Sequence, residues 1–291
     1  MLTAKKELSL NEIPAEKKVM IERRIAELTA RSKAVIREAF EKFTPNELAI
    51  TWTGGKDSTT TLWLIRQVCL EDKIRIPKVM TIDEFDSFPE IHEIMNHWTK
   101  EWGLNLEWCI NQDVVNAAGG KLGAVVQVKD LNRRNQAELK RIGYGEETFI
   151  FEAESNVGNH LMKTVVFNEF IERNSLKGIF QGLRWDEHPA RTDDTYFERR
   201  EAAHLIPEHT RIKPILHFWE RDIWWSMEVN KIPHCVLYEQ GYRSLGAMST
   251  SLIAQEGVPA WEQDLIRTGE RAGRRQDKEQ VMARLRQLGY M

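Results

Sequence analysis

The chain has 291 residues, 42% hydrophobic and 29% charged, room for one large domain or two small ones with a core that needs no staple. Its net charge of −3 is spread as two basic ends around an acidic middle, which argues against a nucleic-acid binder with a concentrated basic face. Cys69, Cys109 and Cys235 lie far apart without a CxxC pair, which excludes a disulfide framework and argues against a cysteine-based metal centre.

Residues Asn11 to Phe43 read as one long helix, with Ile21, Ile25, Leu28, Ser32, Val35 and Ala39 on one face. Thr44-Pro45-Asn46 breaks it. A strand-like run, Glu47 to Trp52, leads through Gly54-Gly55 into helical periodicity from Asp57 to Leu70. Further strands are expected at Lys78–Ile82, Leu104–Ile110, Gly178–Gln181 and Arg211–Leu216, and helices at Phe88–Trp102, Asn156–Asn174 and Glu220–Asn230. Strands alternating with helices of this length predict an α/β fold, a parallel twisted sheet with helices on both faces. The expected division is an N-terminal helical extension over 1–45, a nucleotide-binding α/β domain over 46–240 with a possible inserted lobe at 113–150, and a helical or irregular tail over 241–291. Within that tail Ala260–Thr268 and Gln276–Leu288 have helical character. No run of about 18 apolar residues offers a membrane span, and the charged residues after Met1 lack the apolar core of a signal peptide, so a cytoplasmic protein is expected.

The strongest local signal is Thr51-Trp-Thr-Gly-Gly-Lys-Asp-Ser-Thr59, placed between a strand and a helix. Two glycines let the backbone approach a ligand closely, and the helix start offers free N–H groups and a partial positive charge to an anion. Lys56 adds a full charge, while Thr53, Ser58 and Thr59 add hydroxyls. The Walker spacing GxxxxGK[ST] is absent, and the plainer reading is a strand-to-helix turn capped by Asp57 or Ser58. Asp83 sits at the carboxyl end of its strand, where open α/β sheets bind ligands. It is followed by Ser87-Phe-Pro-Glu90, which has capping-box spacing. Gly182-Leu-Arg-Trp-Asp-Glu-His-Pro-Ala-Arg191 places Arg184, Asp186 and Arg191 just past another strand end, suited to an oxyanion. Glu198-Arg-Arg-Glu201 reads as a solvated helix face, and the Gly-Arg segment at 271–275 as a surface run or a flap over phosphates.

Thr53-Gly-Gly-Lys-Asp-Ser58 resembles the PP-motif of ATP pyrophosphatases, and its context resembles the PAPS reductase family. Within that family the likeness is strongest to the small subunits of bacterial sulfate adenylyltransferases. It is carried by Phe88-Pro-Glu90, His160-Leu-Met-Lys-Thr164, Gly182–Glu187, Ile212-Lys-Pro-Ile215, Trp219–Ile223, Arg243-Ser-Leu-Gly246 and Glu270-Arg-Ala-Gly-Arg274. The resemblance implies an adenine nucleotide alpha hydrolase-like fold, binding of ATP with Mg²⁺, and attack by an oxyanion such as sulfate on the α-phosphorus. Carried over, Thr51, Thr53, Gly54, Gly55, Lys56, Asp57, Ser58 and Gly182 would hold the phosphates, and Asp83 the nucleoside side. Lys56, Arg184, Asp186 and Arg191 would carry catalysis, and Arg271 and Arg274 would lie near the triphosphate. The implied partner is a GTPase large subunit or a second copy of the chain. Trp185 stands where the family commonly has a second arginine. The competing readings are a sulfonucleotide reductase or sulfur-transfer protein, for which the chain lacks a cysteine near its C-terminus, and a non-catalytic nucleotide binder.

Overall fold

The computed structural model describes residues 13–152 and 155–270. The expected helix at Gln276–Leu288 and the residues Arg271 and Arg274 lie outside them. Helix α1 runs from Ala15 to Lys42 and buries Ile21, Ile25, Ser32, Val35, Ile36 and Ala39. It stops at Phe43, just before Pro45. The central elements follow as β1 (Leu48–Thr51), α2 (Lys56–Glu71), β2 (Lys78–Ile82), α3 (Pro89–Glu101) and β3 (Leu106–Cys109). Next come α4 (Gln112–Ala117), β4 (Val125–Gln127), α5 (Arg133–Arg141), β5 (Thr148–Ile150), α6 (Asn156–Asn159) and α7 (Val166–Asn174). The described chain ends with β6 (Gly178–Phe180), β7 (Phe197–Arg200), β8 (His209–Ile212), α8 (Glu220–Asn230) and a long irregular segment.

Six strands form one sheet in the order β3-β2-β1-β6-β8-β7. The first five are parallel and β7 is antiparallel to β8. Side-chain alternation divides the core. Leu48, Ile50, Val79 and Phe180 pack with α1, α2, α3 and α8, whereas Ala49, Met80 and Ile179 pack with Phe170 and Ile171 of α7. Helices therefore cover both faces, and the central strands β1, β2, β6 and β8 are largely buried while the edge strands β3 and β7 are only partly so. Residues between α4 and β5 form a small lobe around a hairpin of β4 and β5, with its own cluster of Val114, Val126, Leu139 and Phe149.

Several local expectations differ from what is observed. Glu198–Glu201 belongs mainly to the edge strand β7, because Lys213, buried on the neighbouring strand's continuation, draws in the Glu198 carboxylate. The strand expected over Arg211–Leu216 ends at Ile212, since Pro214 cannot donate to a ladder. Only Ala260–Glu262 of the expected Ala260–Thr268 helix is helical, as one 3₁₀ turn. Beyond it Arg243 takes the Asp264 carbonyl, a group a helix would use, while the Gln263 side chain reaches back to the Gly241 carbonyl. Helix α3 starts at Pro89 with Phe88 as its cap residue, and no side chain caps it. The Ser87 capping box is thus absent.

Candidate active site

Helix α2 begins at Lys56, with Gly55 in the cap position. Gly54 takes φ +71°, a left-handed conformation open to glycine without a Cβ penalty. The turn is tied internally, because Ser58 Oγ accepts the Thr53 N–H at 3.2 Å and bonds to the Gly55 carbonyl at 3.1 Å. Neither Asp57 nor Ser58 is the N-cap. From the other side Gly182, just past β6, lies against this helix start, where a Cβ would come within 2.8 Å of the Asp57 carbonyl group. Close approach of two backbones requires glycine there.

A cavity of about 400 Å³ opens at the carboxyl ends of β1, β2 and β6. Thr53, Gly55, Lys56, Asp57, Ser58 and Gly182 line its polar part. Thr51, Glu187, Arg191 and Glu270 also face it. A more apolar part carries Met80, Ile82, Phe88, Ile91 and Trp108, with Trp108 stacked on His92 at 4.5 Å. The far wall comes from Asn159 and the residues after it. His160–Val165 is a π-helical stretch between α6 and α7, a local irregularity frequent at functional sites. It turns Lys163 and Thr164 to the cavity, where Lys163 meets Glu84 at 2.6 Å.

The expected cations are not free. Lys56 is 1% exposed, and its Nζ lies 2.5 Å from Glu270, 3.3 Å from Asp57 and 3.9 Å from Glu220. Burial opposes its charge, yet the Asp57 and Glu270 carboxylates hold its pKa above the usual lysine value. Its backbone N–H is taken by the Tyr238 hydroxyl at 2.9 Å. Arg184 is fully buried behind the cavity wall. It pairs with Asp57, with Asp186 at 2.8 Å and with Glu270 at 2.5 Å. Against the cost of burial, Asp57 and Glu270 keep its guanidinium charged. Asp186 uses its second oxygen to accept the Glu220 N–H, fixing the start of α8. Arg191 is buried at the cavity and pairs with Glu187 at 2.9 Å. Burial raises the pKa of Glu187, with Arg191 and Arg184 acting the other way.

Thus Thr51, Thr53, Gly55, Lys56, Asp57, Ser58, Gly182 and Arg191 line the cavity, whereas Arg184 and Asp186 stand behind it. Gly54 shapes the turn, with Ile91 packed at the place a Cβ would occupy. Asp83 is spent on its own loop, accepting the Phe85 N–H at 2.8 Å, and the neighbouring Glu84 faces the cavity instead. Sequence reasoning gave no role to Lys163, Tyr238 or Glu270, although Lys163 and Glu270 fall in blocks quoted for the family resemblance. Trp185 is turned away, its indole N–H donating to the Asp194 carbonyl. All three cysteines are buried, and burial pushes the thiols up to about 12 for Cys69 and about 11 for Cys109 and Cys235.

The phosphoadenosine phosphosulfate reductase domain model matches residues 47–252, a span from just before β1 into the irregular segment. The chain belongs to the phosphoadenosine phosphosulfate reductase domain family. Among curated members, this family member is 24% identical to sulfate adenylyltransferase subunit 2 of Bacteroides fragilis, over 91% of this chain and 80% of that one. It is 22% identical to the protein of that name from Stutzerimonas stutzeri, covering 79% and 71%. Among solved folds it is similar to Candida glabrata FMN adenylyltransferase, with TM-score 0.62, 18% identity and coverage of 89% and 90%. In the complex of that enzyme with FMN and an ATP analogue, the match spans 65% of the longer chain, with TM-score 0.56. The phosphate complex of Candida auris phosphoadenylyl-sulfate reductase gives TM-score 0.52 at 16% identity. These likenesses place the fold of this PAPS reductase-domain chain among nucleotide-binding α/β proteins. No described helix is long and apolar enough to cross a membrane.

Proposed function

We propose that the protein transfers the adenylyl group of ATP to an oxyanion, with sulfate as the acceptor, releasing pyrophosphate and forming adenosine 5′-phosphosulfate. The observation that carries this reading is the Thr53–Ser58 turn at the head of α2, which faces a cavity at the carboxyl ends of three strands. The positive end of a helix and Lys56 suit the phosphates of a nucleotide, and the more apolar part near Trp108 suits its base. Similarity to sulfate adenylyltransferase subunit 2 supports sulfate as acceptor and a second subunit as partner. Arg191, which lines the same cavity, is the cation we assign to the acceptor side.

In this reading the chain's residues position reactants rather than exchange protons. Sulfate is already deprotonated near neutral pH, so in-line placement and stabilisation of charge on the departing pyrophosphate are what remain to be supplied. Among the described residues no three His, Cys, Asp or Glu side chains lie together as a metal cage. Asp57 does reach the cavity, and Mg²⁺ is commonly shared between one or two carboxylates and substrate phosphates. That donor set fits a metal arriving with the triphosphate, where it would offset phosphate charge.

The test is to incubate purified protein, alone and with a candidate large subunit, with Mg-ATP and sulfate, selenate, molybdate or phosphate. AMP-containing products and pyrophosphate are then measured. Sulfate-dependent pyrophosphate release is expected. Release of sulfite from a sulfonucleotide with a thiol donor would replace this reading with the reductase one, which the buried thiols disfavour.

A further inference from the structure

Glu270 lines the cavity, and its position bears on how the proposed site is filled. Its side chain is nine-tenths buried and bridges two cations from separate elements, with one oxygen 2.5 Å from Lys56 Nζ and the other 2.5 Å from Arg184 Nη2. Both oxygens are therefore used on groups that converge at the head of α2, where an anionic ligand would bind. The pairs formed around this point oppose Lys56, Arg184, Arg191 and Arg243 to Asp57, Asp186, Glu187, Glu220 and Glu270. A triphosphate entering that arrangement meets the Glu270 carboxylate as a like charge already seated on Lys56.

The attachment of the chain leading to Glu270 is compatible with its displacement. Residues up to Gln263 are anchored. Asp86 holds Met248 and Ser249, Arg243 holds Glu220 at 2.8 Å, and the Gln263 side chain holds the Gly241 carbonyl at 3.0 Å. After Gln263 the chain is largely exposed, Ile266 to Gly269 all lying at the surface, but Arg243 still holds the Asp264 carbonyl at 3.1 Å and the Thr268 hydroxyl at 2.5 Å, so the movement needed is confined to Gly269 and Glu270. Lys56 keeps Asp57 and Glu220 as partners if Glu270 leaves, and Arg184 keeps Asp57 and Asp186. Departure strands neither cation.

We propose that Glu270 is an internal competitor for the phosphate site, an autoinhibitory carboxylate that a nucleotide must displace before its phosphates reach Lys56. This rests on the proposed nucleotide-binding reading. A site in which the competing contact is formed nine-tenths of the time shows an apparent affinity about tenfold below its intrinsic one.

The experiment compares wild type with Glu270→Gln by calorimetric titration of inorganic tripolyphosphate, ATP and adenosine. Folding is monitored by circular dichroism. Glu270→Gln is expected to bind tripolyphosphate and ATP about tenfold more tightly, with adenosine unchanged because it carries no phosphate. Equal or weaker tripolyphosphate binding by the variant, with ATP still bound by wild type, overturns the competitor role and makes Glu270 a positioning residue, while the nucleotide reading stands. An effect of equal size on adenosine also overturns it. Absence of ATP and tripolyphosphate binding in both proteins removes the nucleotide reading and the competitor together. If the glutamine variant misfolds, Glu270→Asp keeps the charge on a stem too short to bridge both cations, and the same tightening at smaller size is expected.

Discussion

Lys56 and Arg184 were both assigned to phosphate or sulfate on sequence grounds, and the geometry separates them. Lys56 reaches the cavity, so Lys56→Ala is expected to lower ATP turnover about 10²-fold or more, the usual cost of removing one donor to developing charge. Steady-state pyrophosphate release measures it, and near-normal turnover would make the turn purely structural. Arg184 is fully buried among Asp57, Asp186 and Glu270. Arg184→Ala strands those carboxylates, and losing one partner of a buried ionic cluster costs about 3–5 kcal/mol. Urea denaturation should therefore report the loss, with Arg184→Lys recovering only part because an ammonium lacks the planar fork. A stable Arg184→Ala protein with impaired turnover would instead return the residue to the reacting centre.

At the scale of elements, the decisive contact is between the residue after β6 and the first turn of α2. Gly182→Ala would place a Cβ 2.8 Å from backbone atoms of Asp57 and Ser58. Neither backbone can yield without moving the helix start, so weaker ATP binding is expected by at least about tenfold, a shift of 1.4 kcal/mol, read by titration calorimetry. Unchanged affinity would show that the helix start can shift at little cost. These elements also mark what the sequence could disclose. β2 and α8 have the bounds expected from periodicity alone, because each is set by local apolar spacing and nearby breakers. β7 was legible only as a charged run, since its strand character comes from pairing with β8 and from ion pairs to Lys213. The irregular course after α8 was expected, but the helix over Ala260–Thr268 was not borne out beyond Glu262, the Asp264 carbonyl being taken by the distant Arg243.

Across the whole molecule, the candidate site was legible as a loop and illegible as a network. The PP-like turn announces itself within nine residues, but the Lys56–Glu270 contact joins groups 214 residues apart, and no spacing rule reaches that far. One buried group gives a molecule-wide prediction. His209 on β8 is held neutral: burial, reinforced by Arg211 and Arg200, lowers its pKa from 6.5 to about 4. A lowered folded pKa means the stabilisation is complete above pH 6.5 and is lost as pH falls towards 4, by on the order of 3 kcal/mol. Thermal unfolding across that range should steepen accordingly, and His209→Asn should flatten it. An identical pH profile in the variant would locate the acid sensitivity elsewhere.

The strand order has a consequence for how the protein comes into being. β1 lies between β2, made shortly after it, and β6, which is made only after α3, the lobe and α7. Long-range parallel pairing of this kind forms slowly, and unpaired strand edges invite aggregation while they wait. A nascent chain that has reached the lobe holds the PP-like turn on a half-built sheet, without Gly182 at its back or Tyr238 on its N–H. The candidate site is thus among the last things to be completed during synthesis.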